Sequence, residues 1–331
     1  MLTTTPRVAT KVAVTTGCRL HIGFTNLSED VGRCYGSIGV ALDSPKTTVV
    51  LRTHDSLRVV GEGQDQIEEF LRRLCRRFAV EPRVSIEIRE RIPEHVGLGS
   101  GTQLALAVGI GLARVLGLQA DVCDVASAVG RGRRSGIGVA AFRTGGFIID
   151  AGHKKDQHGA CVAPTVIFQR DFPSTWRFVV AVAGVKRGLN GPREERVFNA
   201  LSPPVRISEE ICRLTQLKLM PALMEEDIEE FGGALTAIDR KTGLYFESAQ
   251  GGIYGEGEAA STIDVMLRAG AFGAGQSSWG PAVYGVVDEA RLGRVEDEVR
   301  RFVQERGVGG HVFVARGRNR GAHIEVEAQE L

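Results

Sequence analysis

The sequence has no long hydrophobic run, no excess of one charge and no paired cysteines. Its longest apolar stretch, residues 104–113, is far shorter than the ~20 residues that cross a bilayer. A net charge of +1, from 41 basic and 40 acidic side chains, gives no reason to expect nucleic acid or an anionic membrane as a partner. Six dispersed cysteines without a CxxC pair are typical of reduced thiols in a cytoplasmic protein.

Signal segments, repeats and low-complexity linkers are also missing. The N-terminal residues lack the apolar segment of a secretion signal and alternate in the manner of a β-strand. A length of 331 residues, of which 43% are apolar and 24% charged, predicts a globular protein of two lobes that share one cleft. We therefore expect a cytoplasmic protein whose partners are small molecules.

Hydrophobic periodicity predicts a mixture of strands and helices. Three alternating segments in the first 60 residues indicate β-strands, separated by the glycine-rich residues 32–39. Apolar residues from Ile67 to Phe78 recur at helical spacing, and four arginines lie off that stripe as a solvated face. The later elements are a strand at 84–92, a buried helix at 102–118, a helix at 121–129, a strand at 176–184, helices from 193 to 233 and 261 to 271, a glycine-rich loop at 273–282, and a final strand, helix and two strands.

The turn before the long buried helix carries the first chemical signal. Its glycines let the backbone approach a phosphate, and the unpaired N–H groups of the first helical turn attract the anion together with the helix dipole. No Lys follows in the pattern GK[ST], so this is not a Walker A loop. A turn shaped only for tight packing is the alternative interpretation. The candidate anion contacts are Gly97, Leu98, Gly99, Ser100, Gly101 and Thr102.

Two further segments carry similar residues. Residues 273–281 contain glycines, Gln276, Ser277, Ser278 and a rare tryptophan, Trp279, and residues 17–24 read GCRLHIGF. The three segments resemble, in the same order, the three motifs of the GHMP kinases: an N-terminal strand region, a PxxxGLGSS phosphate loop and a late glycine-rich loop. The resemblance covers almost the full chain.

This resemblance implies the fold. The expected class is α+β, a GHMP kinase-like fold with a ribosomal protein S5-type N-terminal domain and a ferredoxin-like C-terminal domain. It also implies a left-handed βαβ unit, which is rare. We place the N-terminal domain, which carries the phosphate-binding loop, at residues 1–172 and the C-terminal domain at residues 173–331.

One residue argues against kinase chemistry. Kinases of this superfamily often carry a stretch resembling SGxDxxAxxxGG, whose Asp is a candidate base, and Gly138 stands where that Asp would be. A glycine can neither take a proton nor orient a nucleophile. Around it the chain has instead gained cations, because Arg131, Arg133 and Arg134 precede the run.

Four segments resemble a more specific family, the β-ribofuranosylaminobenzene 5′-phosphate synthases. They are CRLHIG, the run GRGRRSGIGVAAFRTGGFIIDAGH, the loop RGLNGPREE and GQSSWGPAVYG. The resemblance implies condensation of 5-phosphoribosyl 1-diphosphate with 4-aminobenzoate, with loss of diphosphate and CO2, in the pathway to methanopterin-type one-carbon carriers. Gly101 departs from the wider superfamily, where many members have a second serine.

That reaction implies roles for particular residues. Leaving diphosphate needs cations and backbone N–H groups, and Mg²⁺ would bridge its oxygens. We expect Asp150, His153 and His21 to act in catalysis, with Asp150 also a possible metal ligand. For His21 and His153 a purely structural role is an equal alternative, and for Trp279 and Phe24, which could stack on the substrate ring, an ordinary core role is equally open. Beyond the phosphate loop, the expected substrate contacts are Arg19, Arg131, Arg133, Arg134, Ser135, Lys186, Arg187, Gln276, Ser277, Ser278 and Trp279.

Two other functions remain open at this point. An active GHMP kinase would phosphorylate a small alcohol with ATP despite Gly138, and a non-catalytic sensor would bind a phosphosugar or nucleotide without consuming it. The sequence does not decide between 4-aminobenzoate and 4-hydroxybenzoate, since one polar contact to the para substituent would set that preference. The resemblance to the family also leads us to expect a homodimer.

Overall fold

Two long strands open the structure, a computed structural model that describes residues 9–154, 163–183, 196–198, 200–201, 204–255, 257–307 and 310–328. Strand β1 (Ala9–Asn26) pairs antiparallel with β3 (Gly36–Thr53). The glycine-rich stretch at 32–39, predicted to separate strands, instead runs into β3. Gly39 fits there because α-helical Ile137 packs against it, and a Cβ on Gly39 would fall 2.4 Å from the Ile137 side chain.

The other elements follow in chain order. The strands are β2 (Arg33–Cys34), β4 (Arg58–Val60), β5 (Val84–Glu90), β6 (Phe147–Asp150), β7 (His153–Lys154), β8 (Val166–Arg170), β9 (Arg177–Ala183), β10 (Gly273–Gln276), β11 (Ala282–Val287), β12 (Gly310–Ala315) and β13 (His323–Ala328). The helices are α1 (Gln64–Phe78), α2 (Ser100–Val115), α3 (Val122–Ala128), α4 (Ile137–Arg143), α5 (Val205–Leu214), α6 (Met220–Glu225), α7 (Ile228–Gln250), α8 (Ala259–Ala269) and α9 (Glu289–Glu305). A π-helical turn, Thr215–Leu219, joins α5 to α6. Within the described ranges no helix has the length and apolarity that crossing a membrane requires.

The first sheet belongs to the N-terminal half and has the order β13-β1-β3-β5-β4, with β6 pairing β3 and β8 pairing β6. Strands β4 and β5 are parallel and are connected through α1. Helix α1 buries Ile67, Phe70 and Leu74 against this layer and exposes its arginines, as the helical spacing predicts. Helix α2 is almost wholly buried, so its small residues bring it close to the sheet.

The second sheet has the order β12-β9-β11-β10, and all three pairs are antiparallel. With helices between β9 and β10 and between β11 and β12, this is the ferredoxin-like arrangement expected for the C-terminal half. The prediction of a loop at 273–282 is wrong for residues 273–276, because these residues form β10. A Cβ on Gly273 would fall 2.1 Å from the Gly232 carbonyl oxygen, so glycine lets the strand approach α7.

The two halves are joined by packing and by the end of the chain. One buried cluster contains Leu20 and Ile38 of the first sheet, Phe178 of the second and Phe231 of α7. Strand β13 returns to pair with β1. The boundary between residues 172 and 173 stays a prediction, and the C-terminal strand crosses it. Because one core ties both sheets, the cleft between them has firm walls.

Candidate functional site

A cavity of about 660 Å³ opens between the two halves. Its walls come from β1, the start of α2, the arginine-rich run before α4, helix α7 and the turn after β10. Fourteen of the residues expected from the sequence line it: Arg19, His21, Gly97, Gly99, Ser100, Gly101, Thr102, Arg131, Arg133, Arg134, Ser135, Gln276, Ser278 and Trp279. The structure therefore brings the sequence motifs together around one space.

The phosphate loop, residues 97–102, leads into α2. Gly97 and Gly99 have φ angles of 89° and 79°, a region that side-chain-bearing residues rarely adopt. A Cβ on Gly97 would also stand 2.2 Å from the Ser277 carbonyl oxygen. Helix α2 begins at Ser100, and its first turn faces the cavity. The positive end of the α2 dipole and the N–H groups of this turn favour an anion here.

Ser277 holds the phosphate loop against β1. Its hydroxyl donates to the Gly97 carbonyl at 2.7 Å and accepts the His21 backbone N–H at 3.0 Å. The backbone N–H of Ser278 donates to the His21 carbonyl at 3.0 Å, and that of Arg19 donates to the Leu98 carbonyl at 3.1 Å. Ser277 is fully buried. It therefore positions the cavity wall and does not line the cavity.

The arginine rim, defined as Arg131, Arg133 and Arg134, lies beside the phosphate loop. A Cβ on Gly101 would stand 3.2 Å from Nη2 of Arg131, so the guanidinium occupies the space that a serine side chain would need. Arg134 lies over the ring of Phe198, with Cζ 4.5 Å from its centroid. The missing side chain at Gly101 thus admits a cation next to the anion-binding turn.

Asp150 and His153 contact the backbone on either side of the arginine-rich segment, at Gly136 and Gly132. Asp150 accepts backbone N–H groups from Gly136 at 2.8 Å, Gly152 at 2.9 Å and Ser37 at 3.2 Å. Burial raises the pKa of Asp150 to about 7, against the lowering effect of these N–H groups. A ring nitrogen of His153, Nε2, lies 2.9 Å from the Gly132 carbonyl oxygen. Neither side chain is among the residues that line the cavity, and their expected part in catalysis stays a prediction.

Another part of the cavity wall is aromatic and meets the arginine rim at Phe198. We call Phe24, Phe198, Phe246 and Trp279 the aromatic wall. Phe246 and Trp279 have ring centroids 4.6 Å apart, and Phe198 lies 5.3 Å from Phe246. The ring of His21 lies 4.7 Å from that of Phe24. Burial, and then the charge of Arg19, lowers the pKa of His21 to about 3, so this imidazole is neutral at physiological pH.

Helix α7 supplies cavity residues that sequence reasoning missed. Asp239, Thr242, Phe246 and Gln250 lie on one face of it and line the cavity. Both oxygens of Asp239 accept the Gln276 backbone N–H at 3.1 Å, and Tyr284 donates its hydroxyl to one of them at 3.3 Å. Burial raises the pKa of Asp239 well above its usual value. Polar residues at helical spacing within an otherwise buried stripe were the available signal.

Four predicted contacts are not among the cavity-lining residues that the structure describes. Leu98 is packed into the core shared by the two halves, and Ser277 acts through hydrogen bonds as described. Lys186 and Arg187 lie outside the described residues.

No group of three or more His, Cys, Asp or Glu side chains that could hold a metal occurs in the described part of the chain, and both oxygens of Asp150 already accept backbone N–H groups.

Gly138 lies against the first turn of α2. A Cβ on Gly138 would stand 3.1 Å from Cγ2 of Thr102, and the Gly138 carbonyl accepts the Gln103 side-chain amide at 2.8 Å. It does not line the cavity. The position at which a kinase would carry its candidate base is therefore occupied by close packing.

Comparison with solved structures confirms the fold. A mevalonate kinase from L. major aligns with a TM-score of 0.72 at 14% identity, over 96% of this chain and 100% of that one. The Methanococcus jannaschii mevalonate kinase aligns with a TM-score of 0.69 at 15% identity, over 93% and 98%. At these identities the likeness concerns the fold alone.

Comparison of sequences identifies the family. The family model for the GHMP kinases N terminal domain matches residues 65–146, and that for GHMP kinases C terminal matches residues 219–305. The β-ribofuranosylphenol 5′-phosphate synthase of Methanothermobacter thermautotrophicus is 35% identical over 95% of this chain and 98% of its own length. The protein of the same name from Archaeoglobus fulgidus is 34% identical over 94% and 98%. The chain is therefore an enzyme of the β-ribofuranosylaminobenzene (β-ribofuranosylphenol) 5′-phosphate synthase family, within the GHMP kinase superfamily.

Proposed function

We propose that this enzyme transfers the 5-phosphoribosyl group of 5-phosphoribosyl 1-diphosphate to a para-substituted benzoate, with release of CO2 and diphosphate. The acceptor is 4-aminobenzoate or its hydroxyl analogue; the name of the relatives refers to a phenol product for those proteins. The product would serve the synthesis of methanopterin-type carriers. The observation that carries the proposal is one cavity whose wall combines cationic, anion-binding residues with a cluster of aromatic rings.

The bond changes need no net proton transfer. The ring carbon that bears the carboxylate forms a bond to the anomeric carbon while the bond from that carbon to diphosphate breaks. The electron pair of the C–CO2 bond then returns to the ring as CO2 leaves, and the para substituent stabilises the intermediate through its lone pair. An enzyme for this reaction needs chiefly to place its two substrates and to stabilise the leaving anion.

The residues of the cavity suit those two demands. The phosphate loop and Arg19 would bind the diphosphate, and the arginine rim would bind the remaining anionic groups through paired N–H contacts. The aromatic wall offers Trp279 and Phe246 for contact with the acceptor ring. A pKa of about 3 makes His21 a weak base, and Gly138 has no side chain, which agrees with a reaction that requires no general base.

Mg²⁺ enters this proposal with the donor. Because the described residues offer no cluster of metal ligands, the ion would arrive bound to the diphosphate oxygens, as part of the substrate. We expect the Mg²⁺ concentration that activity requires to rise with the concentration of the donor. Calorimetric titration of the protein with Mg²⁺ alone should give no heat of binding. Tight binding of the ion without donor would contradict this part of the proposal.

The reaction is tested by release of CO2 from carboxyl-labelled 4-aminobenzoate and, separately, 4-hydroxybenzoate. Purified protein is supplied with Mg²⁺ and the phosphoribosyl donor, and a parallel sample receives ATP in place of the donor. We expect CO2 and diphosphate in equal amounts, only with the phosphoribosyl donor. Donor binding without turnover would support a sensor instead, and ATP consumption with an added alcohol would support a kinase.

A further inference from the structure

Two uncharged side-chain atoms of the cavity wall are buried without a hydrogen-bond partner among the described residues. They are Nε2 of His21 and Oγ1 of Thr242. Leaving a buried polar atom unpaired costs about 1–3 kcal/mol. Since His21 and Thr242 both line the cavity, a bound molecule is the natural source of the missing partners.

The local structure makes room for the Thr242 hydroxyl. A Cβ on Gly23 would stand only 2.6 Å from Oγ1 of Thr242, so glycine at this point lets α7 approach β1. The pairing register of β1 with β3 shifts between His21 and Gly23, which marks a bulge. Bulges re-aim side chains next to functional sites. The glycine therefore places the Thr242 hydroxyl against β1, two residues along the strand from His21.

Their surroundings indicate what they would bind. The His21 ring contacts Phe24 at 4.7 Å, and Phe246 lies one helical turn from Thr242 on the same face of α7. The His21 side chain is neutral because burial lowers its pKa to about 3, and a threonine hydroxyl carries no charge. Uncharged donors and acceptors beside aromatic rings suit a neutral polar group on an aromatic molecule, whereas carboxylate and phosphate suit the arginine rim.

We propose that His21 Nε2 and Thr242 Oγ1 bind the para substituent of the aromatic acceptor and thereby set acceptor specificity. The inference rests on the proposed function, because that reaction supplies a ligand with a neutral para amino or hydroxyl group. An imidazole nitrogen can accept an N–H or O–H from the substituent, and the threonine hydroxyl can accept or donate. The ring carbon to be ribosylated then points away from this pair, toward the donor side.

Such a pair should reject an acceptor of equal size that cannot form hydrogen bonds. A site built to bind a polar group is left with unpaired buried atoms when the analogue lacks that group, and discrimination is correspondingly large. The matching probe is 4-methylbenzoate, which keeps the carboxylate and the volume of 4-aminobenzoate but loses the para hydrogen bonds.

The experiment compares the dissociation constants of 4-aminobenzoate and 4-methylbenzoate by titration calorimetry, with no donor present so that nothing reacts. We expect the wild-type enzyme to prefer 4-aminobenzoate, and the Thr242→Val variant to lose about tenfold of that preference. Thr242→Ser should retain it, and His21→Phe should lose it as Thr242→Val does. Ser248→Ala removes an exposed hydroxyl from the same helix and is the matched control.

Two further measurements separate the possible failures. Binding of 5-phosphoribosyl 1-diphosphate should be unchanged in Thr242→Val, and its melting temperature should equal or exceed that of the wild type because valine removes an unpaired buried atom. Equal weakening of both acids, or an unchanged preference in both Thr242→Val and His21→Phe, would overturn the inference. Failure of the proposed function would appear separately, as absence of product from wild-type enzyme with donor.

Discussion

The Ser277 hydroxyl donates a 2.7 Å hydrogen bond to the Gly97 carbonyl, across the boundary between the two halves of the molecule. The same oxygen accepts the His21 backbone N–H at 3.0 Å. One small side chain therefore fixes the phosphate loop, β1 and the turn after β10 in a single arrangement. Preorganisation of this kind is what a reaction that depends on placement requires.

Replacement of this hydroxyl should affect both stability and substrate use. We expect Ser277→Ala to lower the free energy of unfolding by about 1–3 kcal/mol, because the Gly97 carbonyl and the His21 N–H lose a buried partner. Urea denaturation measures the first effect, and the KM of the phosphoribosyl donor, which should rise, measures the second. Ser56→Ala, at an exposed position, is the control. A destabilised variant with an unchanged KM would separate Ser277 from the site.

The arginine rim predicts a loss of donor use. Arg134→Ala should reduce kcat/KM for the phosphoribosyl donor by a factor equivalent to at least ~2 kcal/mol, because a desolvated phosphate would lose its charged partner. Arg72→Ala removes an exposed arginine of α1 and should leave the kinetics unchanged. Equal kinetic constants in wild-type and Arg134→Ala enzyme would remove Arg134 from the site.

Much of the fold could be predicted because it depends on local patterns. The helical spacing of Ile67, Phe70 and Leu74 specifies α1, and the small residues of α2 specify a helix buried on every side. Strand β10 could not be predicted, since glycines at 273 and 275 resemble a loop. Tertiary packing explains why glycine occurs in this strand. A Cβ on Gly275 would meet the carboxylate of Asp239 at about 2.5 Å, and Asp239 is distant in sequence.

The candidate site was predictable where its residues form a dense motif. The phosphate loop and the arginine rim are contiguous in sequence, so glycine and charge reveal them. Asp239, Thr242 and Gln250 are spread over three turns of α7, and their common face has meaning only once the helix packs against the cavity. Asp150 and His153 were predicted as catalytic, which stays a prediction, and the structure places them in contact with the backbone next to the arginine rim, a position that the sequence alone does not give.

The buried carboxyl of Asp150 predicts a pH dependence of stability. Burial raises the pKa of this carboxyl to about 7 in the folded protein, whereas the unfolded chain has the ordinary Asp pKa of about 3.9. Between these two pH values the folded protein therefore holds a proton that the unfolded chain has released. The stability that this carboxyl contributes is therefore full below that ordinary value and is lost as pH rises through the folded-state pKa.

The variant Asp150→Asn does not titrate at this position. We expect its unfolding free energy, subtracted from that of the wild type, to give a difference that falls by up to about 1.4 kcal/mol per pH unit between roughly pH 4.5 and 6.5. Urea denaturation across this range measures it, with the exposed Asp171→Asn variant as control. A difference that does not change with pH would show that the folded-state pKa is not raised.

Gly101 predicts that a more kinase-like phosphate loop is harmful here. In Gly101→Ser the new Cβ would stand 3.2 Å from Nη2 of Arg131, so the guanidinium must move away from the anion-binding turn. We expect donor affinity to fall several-fold, by the loss of about 1 kcal/mol of charge-assisted contact. Gly293→Ser, a helical glycine with open space around its Cβ position, is the matched control. Unchanged or tighter donor binding in Gly101→Ser would contradict the role given to Arg131.

Gly138 gives the most direct test against kinase chemistry. In Gly138→Asp, a carboxylate would enter close packing with Thr102, whose Cγ2 is 3.1 Å from the Cβ position, and would place negative charge beside the phosphate loop. We expect lower transferase activity, because that charge repels the donor, and no consumption of ATP with added alcohols. Gly138→Ala adds the same Cβ without charge, so a smaller loss in that variant separates crowding from electrostatics. ATP-dependent phosphorylation by Gly138→Asp would mean that the cavity still has the shape of a kinase site and that a single carboxylate had been missing from it.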